Sequence, residues 1–303
     1  MSDFSNPVFH DADKAREWLE ARLWPEGPIC PHCGVINEAT AIKGKTARAG
    51  LYQCRACTEQ FTVTVGTVFE RSHVPLNTWL YANHLLCSSK KGISSHQLSR
   101  MLGVSYKTAW FMAQRIREAM KPGGGIAPMG GEGKVVEADE TFIGNKKGTV
   151  AKRGSGHKHA VMALVERGGK VRSFHVKAVN NRTAQDVLLE NIDLKTKLMM
   201  DETHHYKQVG ETFAGHEAIE HGADEYVRGT VHSNTIEGVF SIFKRGMVGT
   251  YQHCGEQHLQ RYLHEFDFRY SHRVQLGYTD DMRADKALEG ISGKRLTYRR
   301  ING

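Results

Sequence analysis

The sequence has no long apolar stretch. Nowhere in its 303 residues does an apolar run approach the roughly 20 residues that a membrane-crossing helix needs. It has no internal repeat, which excludes solenoid and propeller arrays. Its first segment, MSDFSNPVFHDADKAREW, lacks a basic start followed by an apolar run. It does not read as a signal peptide, and the expected location is the cytoplasm. Cysteine is scarce, six in all, yet four of the six form two close pairs. In a reducing compartment that points to metal ligation rather than disulfides.

What is present is ordinary in bulk. Hydrophobic residues make up 40% of the chain and charged residues 24%, enough to bury one large core or two modest ones. The net charge is +8 and the isoelectric point about 9.1. Phosphates reward Lys and Arg through counterion release, so a basic balance suits a nucleic-acid partner but does not establish one.

Periodicity divides the chain into blocks. Residues 10–24 carry Ala15, Trp18, Leu19 and Leu23 at helical spacing, with Asp11 as cap and Pro25 and Gly27 as the stop. Residues 28–71 hold the paired cysteines among short alternating segments and read as a small β unit. Residues 75–121 are helical. Residues 121–133, KPGGGIAPMGGEG, have no periodicity and read as a linker. Beyond them strands mix with helices. Strands are expected at 135–143, 159–165, 171–176 and 197–200, with another in 218–227. Helices are expected at 183–192 with Thr183 as cap, at 235–247 and at 257–270. The expected domains are 1–74, 75–121, a linker at 122–133, an α/β domain at 134–285, and a basic tail at 286–303.

Cys30 and Cys33, then Cys54 and Cys57, form two Cys-x2-Cys knuckles separated by 20 residues. Two such knuckles supply the four thiolates of a tetrahedral structural zinc site. Tyr52 and Phe61 flank the second knuckle in the manner of a zinc ribbon. Ser95 to Phe111 fits a helix, a turn at Gly103 and a second helix opened by Ser105, with Leu98, Met101, Leu102 and Val104 inward. Ser105, Tyr106, Lys107 and Thr108 at the start of that helix, and Arg115 further along, are the groups expected to meet DNA. The bland alternative is a helical hairpin with a charged outer face.

Three acids stand out by context. Asp139 lies within the apolar strand 135–143, Asp201 ends the strand after Met200, and Glu237 opens a later helix. Acids in or beside apolar strands are costly unless they hold a cation or a partner. Two strand acids and a helix acid suit two magnesium or manganese ions at a phosphodiester. Glu137, on the face of Asp139 by alternation, and Glu140, on the opposite face, are fallback ligands. Lys244 lies two turns after Glu237 and shares its face, placed to hold a phosphate. Asn234 is placed either to cap that helix or to point its amide into the site. Taken singly, each acid could equally be a solvated surface group.

The blocks Asp139 to Gly144, Asp201 to Tyr206, His232 to Tyr251 and His258 to Tyr270 resemble the bacterial insertion-sequence transposases of the fifteen-ninety-five group, described as carrying an ISXO-like transposase domain. Nearly the whole chain takes part, the cysteine knuckles included. One departure is Phe240 before Ser241, where the group's pattern has a Trp. The resemblance implies a ribonuclease-H-like mixed sheet with flanking helices behind the ribbon and the helix-turn-helix. It implies that Asp139, Asp201 and Glu237 hold the catalytic ions, with Asn234 a rival for the third place. It places Lys244, with Arg245 beside it, on DNA near the cleaved end. The implied reaction hydrolyses a phosphodiester at an element end and joins the freed 3′-hydroxyl to target DNA. Double-stranded DNA is then the partner, a dimer or larger assembly the expected state, and the nucleoid the place of action. The alternatives are a non-catalytic DNA-binding regulator and a nuclease that cuts without joining.

Overall fold

The computed structural model describes residues 5–44, 46–201, 207–219 and 234–297. The chain divides into two compact units. One comprises Met1–Ser89, Ile93–Met120 and Asp280–Gly303, the other Lys90–Gly92 and Lys121–Thr279.

The first unit begins with helix α1 (Ala12–Leu23), which Asp11 caps by accepting from the backbone N–H groups of Asp13 and Lys14. Ala15 and Leu19 form its buried stripe. A three-stranded antiparallel sheet follows, β1 (Ala39–Ala41), β2 (Tyr52–Cys54) and β3 (Gln60–Phe61). Helix α2 (Leu76–Ser88) is buried almost all round, from Trp79 to Cys87, which marks it as the centre of its unit. Helices α3 (Ser95–Leu102) and α4 (Tyr106–Met120) meet at Gly103, whose left-handed φ of 66° makes the turn. Ser94 caps α3. Met101, expected inward, is 43% exposed, because α3 buries only Leu98.

The last element of the first unit is α9 (Asp280–Glu289). Asn83 Nδ2 on α2 donates to the carbonyl of Ala284 at 2.9 Å, and Arg283 donates to the carbonyl of Cys87 at 2.8 Å. The following residues pair back as well, with Val68 N–H donating to Ile291 and Gly293 N–H to Gly66. The expected boundary at 285 therefore moves to 280, and residues 286–297 begin as packed structure rather than as a tail.

The second unit is a five-stranded mixed sheet in the order β6-β5-β4-β7-β8. Strands β4 (Val135–Ile143), β5 (His159–Glu166) and β6 (Val171–Val176) form an antiparallel meander, and β7 (Lys197–Asp201) and β8 (Gly215–Ile219) extend it in parallel from β4. The strand expected within 218–227 is thus observed at 215–219, and the rest of that range lies outside the described residues. Strand β5 is buried on both faces, which is why its sequence runs apolar without alternation. On one face Val136, Ala138, Met162, Leu164, Leu198 and Met200 pack with α5 (Asn181–Asn191). On the other Val161, Ala163 and Val165 pack with α7 (Asn234–Gly246) and α8 (Glu256–Ser271). A short helix α6 (Lys207–Gly210) precedes β8, and a π-helical turn, Met247–Tyr251, follows α7.

Two expectations need adjusting in this unit. Asn180, not Thr183, caps α5, accepting from the Thr183 N–H at 2.9 Å. The linker ends early. Met129 is buried and bridges to Ile192, and Gly130 lies so close to Thr196 that an added Cβ would sit 2.2 Å from Oγ1.

Strand β6 is a sheet edge, and α8 satisfies the backbone groups that an edge leaves open. Ser271 Oγ accepts from Val171 N–H, Asp267 from Ser173 N–H at 2.7 Å, and Gln260 from His175 N–H at 2.8 Å. Gln260 Nε2 returns a bond to the Ser173 carbonyl.

Candidate functional site

The four knuckle cysteines come together. Their sulfurs all lie within 4.8 Å of one another, with 3.6 Å between Cys30 and Cys57 and 3.7 Å between Cys33 and Cys54. Sulfurs about 2.3 Å from a tetrahedral zinc stand about 3.8 Å apart, so the donor set fits that ion. Backbone N–H groups of Cys57, and secondarily of Ala56, hold the Cys54 thiol down at about 7 against the effect of burial. Trp24, Tyr52 and Phe61 pack around the cluster, Tyr52 stacking on Phe61 at 5.8 Å. Cys87 is buried in α2 and belongs to neither group of three or more possible metal ligands among the described residues.

In the second unit the organising residue is Glu137. It is fully buried. Its carboxylate accepts from Arg167 Nε at 2.6 Å, from Thr235 N–H and Oγ1 at 3.0 and 2.9 Å, and from Ile236 N–H at 3.0 Å. Four donors fill the roughly four lone-pair positions a carboxylate offers. Glu137 is therefore no spare metal ligand: it fastens the start of α7 to β4. It takes amides that a helix start leaves without intrahelical partners, and its charge suits the helix dipole there.

Asp139 is the next residue on the same face of β4, about 7 Å further along. It is half-buried, and its Oδ1 accepts the Glu140 N–H at 2.7 Å. Strand β7 runs parallel beside β4, with Glu137 opposite Met199 and Ala138 opposite Met200. One step beyond that last registered pair lie Asp139 and Asp201. Glu237 follows directly on the two amides that Glu137 holds, and is exposed. The backbone thus brings two acid-bearing strand positions side by side and the start of the third acid's helix onto the face of the first. Asn234 is exposed, and the amides just after it are bound by Glu137. Lys244 and Arg245 lie exposed in the last turn of α7.

The motif residues at the end of α7 and beyond it have packing roles. Gly246 stands where an added Cβ would lie 2.4 Å from Phe266 Cζ and 2.8 Å from the Lys91 carbonyl. Tyr251 donates to buried Glu265 at 2.6 Å, and Glu265 also pairs with Arg269.

The expected DNA-contacting residues divide. Tyr106 and Lys107 are exposed at the start of α4, with Tyr106 stacked on His96 at 4.3 Å. Ser105 and Thr108 spend their hydroxyls locally: Ser105 Oγ accepts the Thr108 N–H, and the two oxygens lie 2.9 Å apart. Arg115 does not lie on the outer face. It is 8% exposed, donates to the Glu70 carbonyl at 2.9 Å, and lies over the rings of Phe111 and Trp79. Its place in the sequence shows the charge but not that the C-terminal half of α4 is core. Glu137 was legible as a buried strand acid. Its use as an anchor was not, since its partners lie 30 and 98 positions away.

A four-cysteine ribbon and a mixed sheet flanked by helices share one chain, a pairing that known proteins also contain. Residues 10–60 match the transposase zinc-ribbon domain, and residues 130–271 match the ISXO2-like transposase domain. Over these two stretches the chain is similar to transposase domains. A similar protein is the "Uncharacterized protein in transposable element ISH50" of Halobacterium salinarum, 28% identical over 279 residues, covering 86% of this chain and 92% of that one. Among solved structures, a Mos1 transposase paired-end complex with left transposon end matches at a TM-score of 0.29 and 13% identity. The match covers 69% of this chain and 74% of that one. A likeness that low carries no argument about fold or activity.

Proposed function

We propose that this protein is the transposase of an insertion sequence, and that its second unit is a ribonuclease-H-like domain cutting and joining DNA. The strand order β6-β5-β4-β7-β8, an antiparallel meander extended by two parallel strands, supports that fold. The carrying observation is the Glu137 clamp together with the β4–β7 register, which gathers the positions of Asp139, Asp201 and Glu237. Their all-carboxylate chemistry suits Mg²⁺ or Mn²⁺. Such ions, when bound, would stabilise charge on the attacking and leaving oxygens of a phosphodiester. Asp139, Asp201 and Glu237, with Asn234 as the alternative third donor, would hold them. Glu137 and Arg167 fix the helix that presents Glu237. Lys244 and Arg245 offer exposed cations to backbone phosphates, and Tyr106 and Lys107 reach the DNA from a helix-turn-helix. No Ser or Tyr nucleophile is needed. Two element ends must be held at once, so a dimer or larger assembly on cytoplasmic DNA fits the role.

The test uses a duplex carrying the element end, intact or pre-nicked. Asp139→Asn should lower both cleavage and strand transfer by about 4 kcal/mol in barrier, roughly a thousandfold, and leave end binding unchanged. Unchanged cleavage in that variant removes the assignment of Asp139. Cleavage without joining from the pre-nicked end would make the wild-type protein a nuclease. DNA binding with neither step would make it a regulator.

A further inference from the structure

A second cluster of side chains of metal-ligating type lies on the same sheet face as Asp139, away from the proposed carboxylate site. His159 opens β5, His175 lies near the end of β6, and Glu256 is the first residue of α8. His175 is registered opposite Val161, so the two histidines form a diagonal pair on adjacent antiparallel strands. Asp139 is registered opposite Ala163, four residues along β5 from His159, or roughly 13 Å.

Ligand atoms of His159, His175 and Glu256 all lie within 4.8 Å of one another. The two rings meet edge to face with centroids 5.4 Å apart. His159 is 6% exposed, and its Nδ1 is buried with no hydrogen-bond partner among the described residues. An unmatched polar atom in such a place is unfavourable, and a metal bond is one way to satisfy an imidazole nitrogen. His175 binds a proton less readily than usual, because it is partly buried and because His159 and Lys146 lie nearby, while Glu256 opposes the shift.

We propose that His159, His175 and Glu256 form a second transition-metal site, taking Zn²⁺ or a chemically similar divalent ion. Two imidazoles and one carboxylate are the donors of such ions, whereas magnesium keeps to oxygen. Ligands about 2.0–2.1 Å from a tetrahedral ion stand about 3.4 Å apart. Exposed Glu256 and half-exposed His175 can close that remaining distance by side-chain rotation. Three protein ligands leave a fourth position open to water. The ion would staple the β5–β6 hairpin to the first turn of α8, the helix that already covers the β6 edge.

Co²⁺ added to the full-length chain tests the site. The Asp139→Asn background removes a carboxylate from the site proposed for magnesium. In it the protein should hold two Co²⁺ per chain: one with thiolate-to-metal charge-transfer absorption from the ribbon, one with d–d bands alone. Adding His175→Gln or Glu256→Gln should weaken the second ion at least tenfold while circular dichroism and the charge-transfer band stay unchanged. Adding Cys54→Ser and Cys57→Ser should remove the first ion and spare the second. One Co²⁺ per chain in the Asp139→Asn background, or two that neither His175→Gln nor Glu256→Gln weakens, overturns the proposal. Neither result bears on whether Asp139 is needed for strand transfer.

Discussion

Glu137 and Asp139 sit two residues apart on one face of β4, and their surroundings give them opposite uses. Glu137 is wholly enclosed by donors, while Asp139 has one close backbone donor and a half-open position. Removing a buried carboxylate leaves Arg167 and two helix-start amides without their acceptor, a loss of about 3–5 kcal/mol. Glu137→Ala should therefore lower unfolding stability by that amount in denaturant titrations made with no divalent ion present. A metal ligand would show its defect only on ion addition. Asp267 gives a second prediction at this scale. It is enclosed against Ser173, and burial raises its carboxyl to about 7 despite the two bonds from Ser173. The native state then holds its proton more tightly than the unfolded chain does. This carboxyl favours the fold below about pH 4, and that contribution is lost as pH rises towards 7. Asp267→Asn cannot titrate, and Ser173 Oγ can turn to accept from an amide. Stability curves should show a shallower fall between pH 4 and 7 in Asp267→Asn than in the wild type.

Elements that carry their own periodicity or chemistry were readable in advance. The apolar run of β5, the Asp11 cap and the cysteine knuckles all state their structure locally. What escaped was decided by distant partners. Two Asn precede Thr183, and Asn180 is at least as good a cap. Arg115 reads as a surface cation until α4 is seen to be core along its second half. In the proposed site the acids could be named, but Glu137 could not be separated from Asp139, because both alternate onto one face. Gly246 shows the same dependence on fold. In the sequence it closes a Lys-Arg-Gly motif, whereas in the structure it lets α7 pass within reach of Phe266 and the Lys91 carbonyl. Gly246→Ala should cost about 1–3 kcal/mol through overpacking against backbone that cannot move aside. The measure is a lower melting temperature, with the ribbon's zinc content unchanged.

Across the whole molecule, both flanks of the sequence serve the first unit, and residues 121–279 form a separate unit between them. Helix α9 is not an appendage. It accepts from Asn83, which is buried in the centre of α2, and its Arg283 binds the carbonyl of Cys87 near the end of that helix. Arg22 on α1 also pairs with Asp285 at 2.7 Å. Without α9 these buried groups lose their partners and an apolar helix face meets water, each a cost on the order of 1–3 kcal/mol. The second unit keeps its sheet, both of its cores and the helix that covers its edge within 121–279. A chain ending at Thr279 should therefore lose amide-exchange protection throughout α2 and α4 while β4, β5 and β7 stay protected. Equal loss in both units would mean that the sheet depends on α9 for its folding. Full protection of α2 would mean that the bonds from Asn83 and Arg283 contribute little.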